Sequence, residues 1–310
     1  MEFFMSARRL QGGEFTDKIG AMRLIAVDEA APITKDTIIS NSGSWFKQVQ
    51  RAAGNETETE VDILFFVHGF NTEQHEMRRR YKKVVAGLRE QGFRGPVVGF
   101  DWPSDGTVLG YASDRRDARA AAEMLMEKGI KGFVRRQLPN CQTNLHILAH
   151  SMGCFVVREA FDYADDSHTE ASKSWSVAQV ALVAADISSN SMTQGNSHSS
   201  SLLRHSARLT NYYSPYDAVL SVSNIKRVGV SRRLGRVGLP ENRSDKTVNL
   251  NCGPRFQANR ADYEAGMAAT HAWYFDSAQF YKDLSFTLAG ELDREVIPTR
   301  RSDKAGLVLI

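Results

Sequence analysis

Apolar residues in this chain come in short unbroken runs. VDILFFV (61–67), PVVGFDW (96–102), NLHILAH (144–150) and VAQVALVA (177–184) are each of strand length, and a polar or glycine-containing break follows each. A strand with one wet face alternates apolar and polar residues; a continuous run marks a strand buried on both faces. ARLTNYYS (207–214) and DKTVNLN (245–251) extend the series, and AMRLIAV (21–27) reads as an earlier strand. Between the runs the period lengthens to that of a helix. Met77, Tyr81, Val84, Val85 and Leu88 make an apolar stripe in 73–91, and Ala118, Ala121, Ala122, Leu125 and Met126 make another in 112–137. MGCFVVREAFDYA (152–164), residues 273–289 and a short stretch near 199–205 also read as helices. SGSWFKQVQRAAG (42–54) predicts an amphipathic helix behind a serine cap. Such alternation predicts an α/β fold with a mostly parallel central sheet and helices on both faces. Residues 1–60 are expected to be an N-terminal extension adding strands to the sheet, 61–290 the main domain, and 291–310 a C-terminal tail.

In open parallel sheets ligands bind beyond the carboxyl ends of the strands. Those ends carry His68-Gly69-Phe70-Asn71, Asp101-Trp102-Pro103-Ser104, His150-Ser151-Met152-Gly153, Asp186 and Asp217, with His271 past the last strand. A-H-S-M-G (149–153) is close to the G-x-S-x-G elbow, in which a serine sits on a sharp turn between strand and helix. Small neighbours let the backbone double back; Ala149 replaces the first glycine and Gly153 keeps the second. Ser151 is therefore the candidate nucleophile. Serine needs a base, and among eight histidines only His271, in ATHAWYF, follows the final strand. An acid must orient it, and Asp217 in YYSPYDAVL is favoured over Asp186, which also suits a helix cap. Oxyanion donors are expected from the backbone N–H groups of Met152 and of Phe70, after flexible Gly69.

Composition narrows the classes. Of 310 residues, 42% are hydrophobic and 24% charged, the balance of a soluble globular chain. A net charge of +3 with dispersed basic residues argues against nucleic acid. No apolar run is long enough for a membrane span. MEFFMSARRL sets Glu2 ahead of a very short apolar patch and its arginines, unlike a secretory signal, so the expected location is cytoplasmic. Cys141, Cys154 and Cys252 are odd in number and widely spaced, giving neither a disulfide framework nor a zinc pattern. No metal and no cofactor is called for.

FVHGFN, FDWPS, LHILAHSMG, YYSPYDAVL and HAWYF, in that order, resemble the α/β-hydrolase superfamily. More narrowly they are similar to its bacterial family of unknown function, DUF900, over roughly 61–290. The resemblance implies the α/β-hydrolase fold and a serine hydrolase with Ser151, Asp217 and His271 as triad and Phe70 and Met152 at the oxyanion hole. It also implies an acidic residue at Asp186 with a supporting role. The expected activity is carboxylesterase chemistry through an acyl-enzyme on a small-molecule ester. An acyltransferase, an amidase or thioesterase on the same triad, and a non-catalytic binding module are the alternatives. Trp102, Tyr216 and Trp273, with Phe70, Tyr111, Tyr212 and Tyr213, are candidates to line an apolar substrate pocket. The basic segment 225–243 reads as a lid or a surface loop. The sequence leaves room for a homo-oligomer.

Overall fold

The computed structural model describes residues 1–52, 62–104, 111–134, 144–166, 175–223, 232–290, 296–304 and 306–310. Cys141 and the first part of the basic segment, 225–231, lie outside the described residues. Among the described residues, ten strands form one sheet: β1 (Glu2–Gln11), β2 (Glu14–Val27), β3 (Ile63–Val67), β4 (Val97–Asp101), β5 (Leu145–His150), β6 (Val177–Val183), β7 (Ser206–Tyr213), β8 (Thr247–Asn251), β9 (Arg300–Asp303) and β10 (Gly306–Leu309). Their order across the sheet is β2-β1-β4-β3-β5-β6-β7-β8-β10-β9. Every neighbouring pair from β1 through β10 is parallel; only the flanking pairs β1·β2 and β10·β9 are antiparallel.

The continuous apolar runs are explained by two cores, one per face. In β3, Ile63, Phe65 and Val67 enter one core while Leu64 and Phe66 enter the other. Pleating sends successive side chains to opposite faces, so a strand covered on both sides must be apolar throughout. Helices α1 (Ser42–Arg51), α3 (Tyr111–Met124), α4 (Gly153–Asp166) and α5 (Ser197–Arg204) cover the first face; α2 (Gln74–Glu90) and α6 (Ala278–Ala289) cover the second. The cap of α1 is Asn41, whose Oδ1 accepts from Ser44 N at 2.9 Å, in place of the serine expected from sequence. The stripe after residue 112 does not run as one α-helix: α3 widens into a π-helical stretch at Leu125–Ile130 and ends with Lys131–Val134.

Both ends of the chain join the sheet. β1, which the apolar pattern did not reveal, lies inside it and pairs with β4 from Phe3↔Val98 to Ser6↔Asp101. Residues expected to be a C-terminal tail form the β9–β10 hairpin, with β10 on β8. No helix among the described residues is long and apolar enough to cross a membrane.

Candidate active site

Ser151 follows β5 directly, with a left-handed φ of 55°, and α4 begins two residues later. Its N–H donates to Val183 O at 3.0 Å, and its carbonyl accepts from Asp186 N at 3.1 Å. The two glycines in the adjoining motifs interlock. A Cβ on Gly153 would lie 2.5 Å from the carbonyl oxygens of both Val67 and His68, and one on Gly69 would lie 2.8 Å from Ser151 Cβ. The end of β3 and the start of α4 thus approach to a distance only glycine permits. Three non-glycine residues have positive φ among those described: Ser151, Asn71 (51°) and Ala184 (47°). They follow β5, β3 and β6, three adjacent strands, at their carboxyl ends. Such backbone costs on the order of 1–3 kcal/mol per residue and concentrates where function requires it.

His271 Nδ1 lies 2.6 Å from Asp217 Oδ2. Asp217 is fully buried, and its other oxygen accepts from Leu220 N at 2.9 Å. The two are tied together a second time, because Ala218 N donates to Thr270 Oγ1 at 3.0 Å. His150, the variable residue of the elbow, braces the histidine through its Nε2, 3.1 Å from the His271 carbonyl oxygen, with the rings 4.7 Å apart. Burial, then the neighbouring His271, holds the His150 pKa well below its usual 6.5, so this ring is neutral and Nε2–H is the donor. Ser151 and His271 are each 8% exposed, buried but not sealed from solvent.

Phe70 is half-buried on the loop after β3, and Met152 stands at the first turn leading into α4, where N–H groups lack intrahelical acceptors. A buried polar network holds the Phe70 loop. Thr72 Oγ1 donates to the carbonyls of Gly69 and Phe70 at 3.1 Å each, and Thr72 N donates to Ser104 Oγ at 3.0 Å. Arg8, from β1, donates through Nη2 to Thr72 O and through Nε to Asp101 Oδ1, both at 2.7 Å, and also pairs with Asp17. Asp101 further accepts from Ser6 Oγ at 2.8 Å and Gln74 Nε2 at 3.1 Å. Burial alone would raise the Asp101 carboxyl, but Arg8 and then His68 outweigh it and hold the pKa below 3.8. His68 accepts from Trp102 N at Nε2 and donates from Nδ1 to Gly69 O; burial is the chief cause that pushes its pKa down to about 4. Sequence reasoning missed Arg8, Thr72 and Thr270. His68, Asp101 and Ser104 stood among the strand-end residues, but no spacing linked them to a residue at position 8.

The aromatic candidates divide. Trp102 is fully buried, donates from Nε1 to His68 O at 2.9 Å and stacks on the His68 ring, so it is part of the loop's scaffold and presents no face to a ligand. Trp273 is 1% exposed among Phe256, Tyr263 and Tyr274, again core. Apolar rings at strand ends fill the space beneath the site as readily as line it, and spacing does not separate the two. Tyr212 is also buried, bonded to Asp283 at 2.8 Å, and Tyr213 is nearly so; the Tyr111 side chain is outside the described residues. Tyr216 is 47% exposed. It is Asp217 that meets His271, and Asp186 Oδ1 lies 3.1 Å from Arg233 Nε. The later part of the basic segment is pinned to the strand ends: Leu234 N donates to Ile187 O and Gly235 N to Ala185 O, both at 2.9 Å. A Cβ on Gly235 would lie 2.1 Å from Ala185 N. Residues 233–235 are therefore packed wall, neither lid nor solvated loop. Among the described residues no three His, Cys, Asp or Glu side chains gather as a metal site requires.

A parallel sheet covered on both faces, with a serine on a strained turn after a central strand, defines the chain as an α/β hydrolase. It belongs to the family described as "Alpha/beta hydrolase of unknown function (DUF900)", which matches residues 47–281. An uncharacterized protein of Nostoc sp., alr1448, is 38% identical over 60 residues, which are 19% of this chain and 15% of that relative's length. Esterase B from Lactobacillus rhamnosis is a structural neighbour at 12% identity and a TM-score of 0.37, covering 75% of this chain and 78% of that one. A cutinase-like protein from Cryptococcus sp. matches at 11% identity and TM-score 0.33, covering 74% and 93%. Phospholipase PlaB from Legionella pneumophila matches at 15% identity and TM-score 0.27, over 41% of this chain and 25% of its own.

Proposed function

We propose that this protein is a serine carboxylesterase acting on small-molecule esters. The observation that carries the reading is the 2.6 Å contact between His271 Nδ1 and the buried Asp217 carboxylate, on the same sheet edge as a serine with φ of 55°. With Nδ1 engaged, the imidazole offers Nε2 as the base. Ser151 Oγ attacks the ester carbonyl carbon while Nε2 takes its proton. The negative charge that develops on the carbonyl oxygen is met by the N–H groups of Met152 and Phe70. Collapse of the tetrahedral intermediate breaks the bond to the alcohol oxygen, which receives the proton back from His271 and leaves. A water then repeats the sequence on the acyl-enzyme, releasing the acid and restoring Ser151. Asp217 stabilises the imidazolium formed in each half. The buried free thiols Cys154 and Cys252 suit a reducing compartment such as the cytoplasm.

The test is hydrolysis of p-nitrophenyl acetate and butyrate by wild type, Ser151→Ala and Asp217→Asn, with folding checked by circular dichroism. Ser151→Ala is expected to lower kcat by roughly 10⁴-fold or more, and Asp217→Asn by about 10³–10⁴-fold. Equal rates in wild type and Ser151→Ala would refute the assignment. So would a wild type that neither turns over these esters nor is labelled by a fluorophosphonate. Adding an alcohol acceptor and measuring the product ratio separates transfer from hydrolysis.

A further inference from the structure

A polar cleft of about 440 Å³ lies beside the candidate nucleophile, between α3, α4 and the segment after β6. It is joined to the serine turn at two points: Asp186 on its wall donates its N–H to Ser151 O at 3.1 Å, and Phe155 on its floor is one helical turn beyond Ser151. Three guanidinium groups crowd that one ring. The Cζ atoms of Arg115, Arg158 and Arg119 lie 4.2, 5.2 and 6.0 Å from the Phe155 centroid. One carboxylate serves two of them: Glu159 accepts from Arg158 Nη2 at 2.6 Å and Arg119 Nε at 3.0 Å. Arg115 forms no ion pair among the described residues, and burial followed by Arg158 and Arg119 lowers its proton affinity.

The deeper wall is also short of acceptors. Arg233 is 1% exposed, and although its Nε lies 3.1 Å from Asp186, neither Nε nor Nη2 makes a well-formed hydrogen bond among the described residues. Arg158, 7% exposed, reaches Ser191 Oγ at 3.2 Å through Nη1, while its Nε has no hydrogen-bond partner among the described residues. Four arginines in the lining face three carboxylates, Glu159, Asp162 and Asp186. Burial and then Glu159 raise the Asp162 carboxyl, which lessens its power to balance them. Buried N–H donors left unmet destabilise the fold, and like charges at close range add to that. A planar or tetrahedral oxyanion relieves both, since guanidinium forks match carboxylate and phosphate oxygens in pairs.

We propose that this cleft binds an anionic group, a carboxylate or a phosphate, carried by the substrate hydrolysed at Ser151, with Arg115 and Arg158 as the anchoring pair. The proposal rests on the serine-esterase reading for its link to turnover, and its test separates the two. Calorimetry on Ser151→Ala would measure binding of succinate and, separately, of inorganic phosphate; Arg115→Gln added to that background should weaken binding roughly tenfold or more. Turnover would be measured as the ratio of kcat/KM on p-nitrophenyl hemisuccinate to that on p-nitrophenyl butyrate. Wild type is expected to favour the anionic ester by about tenfold or more, and Arg115→Gln to lose that preference. Arg158→Gln should do the same, and because Arg115 is the less buried of the two, its variant keeps the test open if Arg158→Gln does not fold. Succinate binding without phosphate binding assigns a carboxylate; the reverse assigns a phosphate. Hydrolysis of both esters at equal efficiency, with neither anion bound, would overturn the anion site and leave the esterase standing. Binding with no hydrolysis of either ester would overturn the link to turnover and the esterase reading together.

Discussion

Arg8→Met isolates the contact by which the N-terminal strand holds the Phe70 loop. In the native protein Arg8 and Asp101 are each about 1% exposed and meet at 2.7 Å, and a second arm of Arg8 reaches Thr72 O at 2.7 Å. Methionine keeps the apolar stem and removes the charge. Breaking a buried pair from one side costs about 3–5 kcal/mol, because the surviving charge is left in a poor solvent. Asp101 keeps its hydrogen bonds from Ser6 and Gln74, so the lower end, about 3 kcal/mol, is expected. That is a substantial part of the roughly 5–15 kcal/mol by which domains are stable. At this chain length of 310 residues it amounts to a fall in Tm of roughly 5 °C.

Urea unfolding followed by fluorescence measures the loss, and its pH dependence identifies the cause. Burial tends to raise the Asp101 carboxyl, and Arg8 is the largest influence lowering it below 3.8. In wild type the resulting stability is fully present above the unfolded value near 3.8 and is lost as pH falls through the lower folded value. Without Arg8 the carboxyl rises instead, and the penalty is relieved by protonation. The gap between wild type and variant should therefore narrow as pH is lowered from 7.5 toward 4. Arg8→Lys, which keeps the charge, should lose less stability but still loosen the Thr72 contact and lower kcat of the proposed esterase reaction. A loss under about 1 kcal/mol, or a coupling near zero in the cycle with Asp101→Leu, would show that the pair does not anchor the loop.

Two further outcomes follow from the same geometry. Gly153→Ala drives a Cβ to 2.5 Å from two backbone carbonyl oxygens, which cannot swing aside like side chains; a loss of about 3 kcal/mol in urea unfolding, with reduced activity, is expected, and a neutral result would contradict the close approach. His68, at about 4 against an ordinary 6.5, is depressed on folding, so the unfolded chain binds its proton first. Stability should fall as pH drops from about 6.5 to 4, with about 3 kcal/mol due to His68, and His68→Gln should lose that share of the slope.

Much of the fold was legible because strands covered on both faces must be continuously apolar. The four runs from β3 to β6 stood out for that reason, while β7, β8 and the last part of β2 were read from mixed stretches of strand length. β1 did not stand out, since Ser6, Arg8 and Arg9 interrupt its apolar residues. Arg8 is buried only because Asp101 lies on the neighbouring strand, a pairing across 93 positions that no local period reports. The terminal hairpin was missed likewise: Arg300, 6% exposed, is neutralised by Asp283 at 2.7 Å, so its strand reads as polar although it lies against the sheet.

What the sequence determined alone was local. A strand-turn-helix junction at Ser151 with small neighbours, a glycine after His68, and an acid and a histidine after later strands are readable because each is set by chain geometry within a few residues. The tertiary structure decided which charges found each other. It set Asp217 rather than Asp186 against His271, gave Asp186 to Arg233, and turned Trp102 and Trp273 into the core. It also brought Arg115, Arg119 and Arg158 around one ring. Pairing of charges and burial of rings depend on which surfaces the parallel crossovers bring together, and that information resides in the packed sheet and not in any stretch of chain.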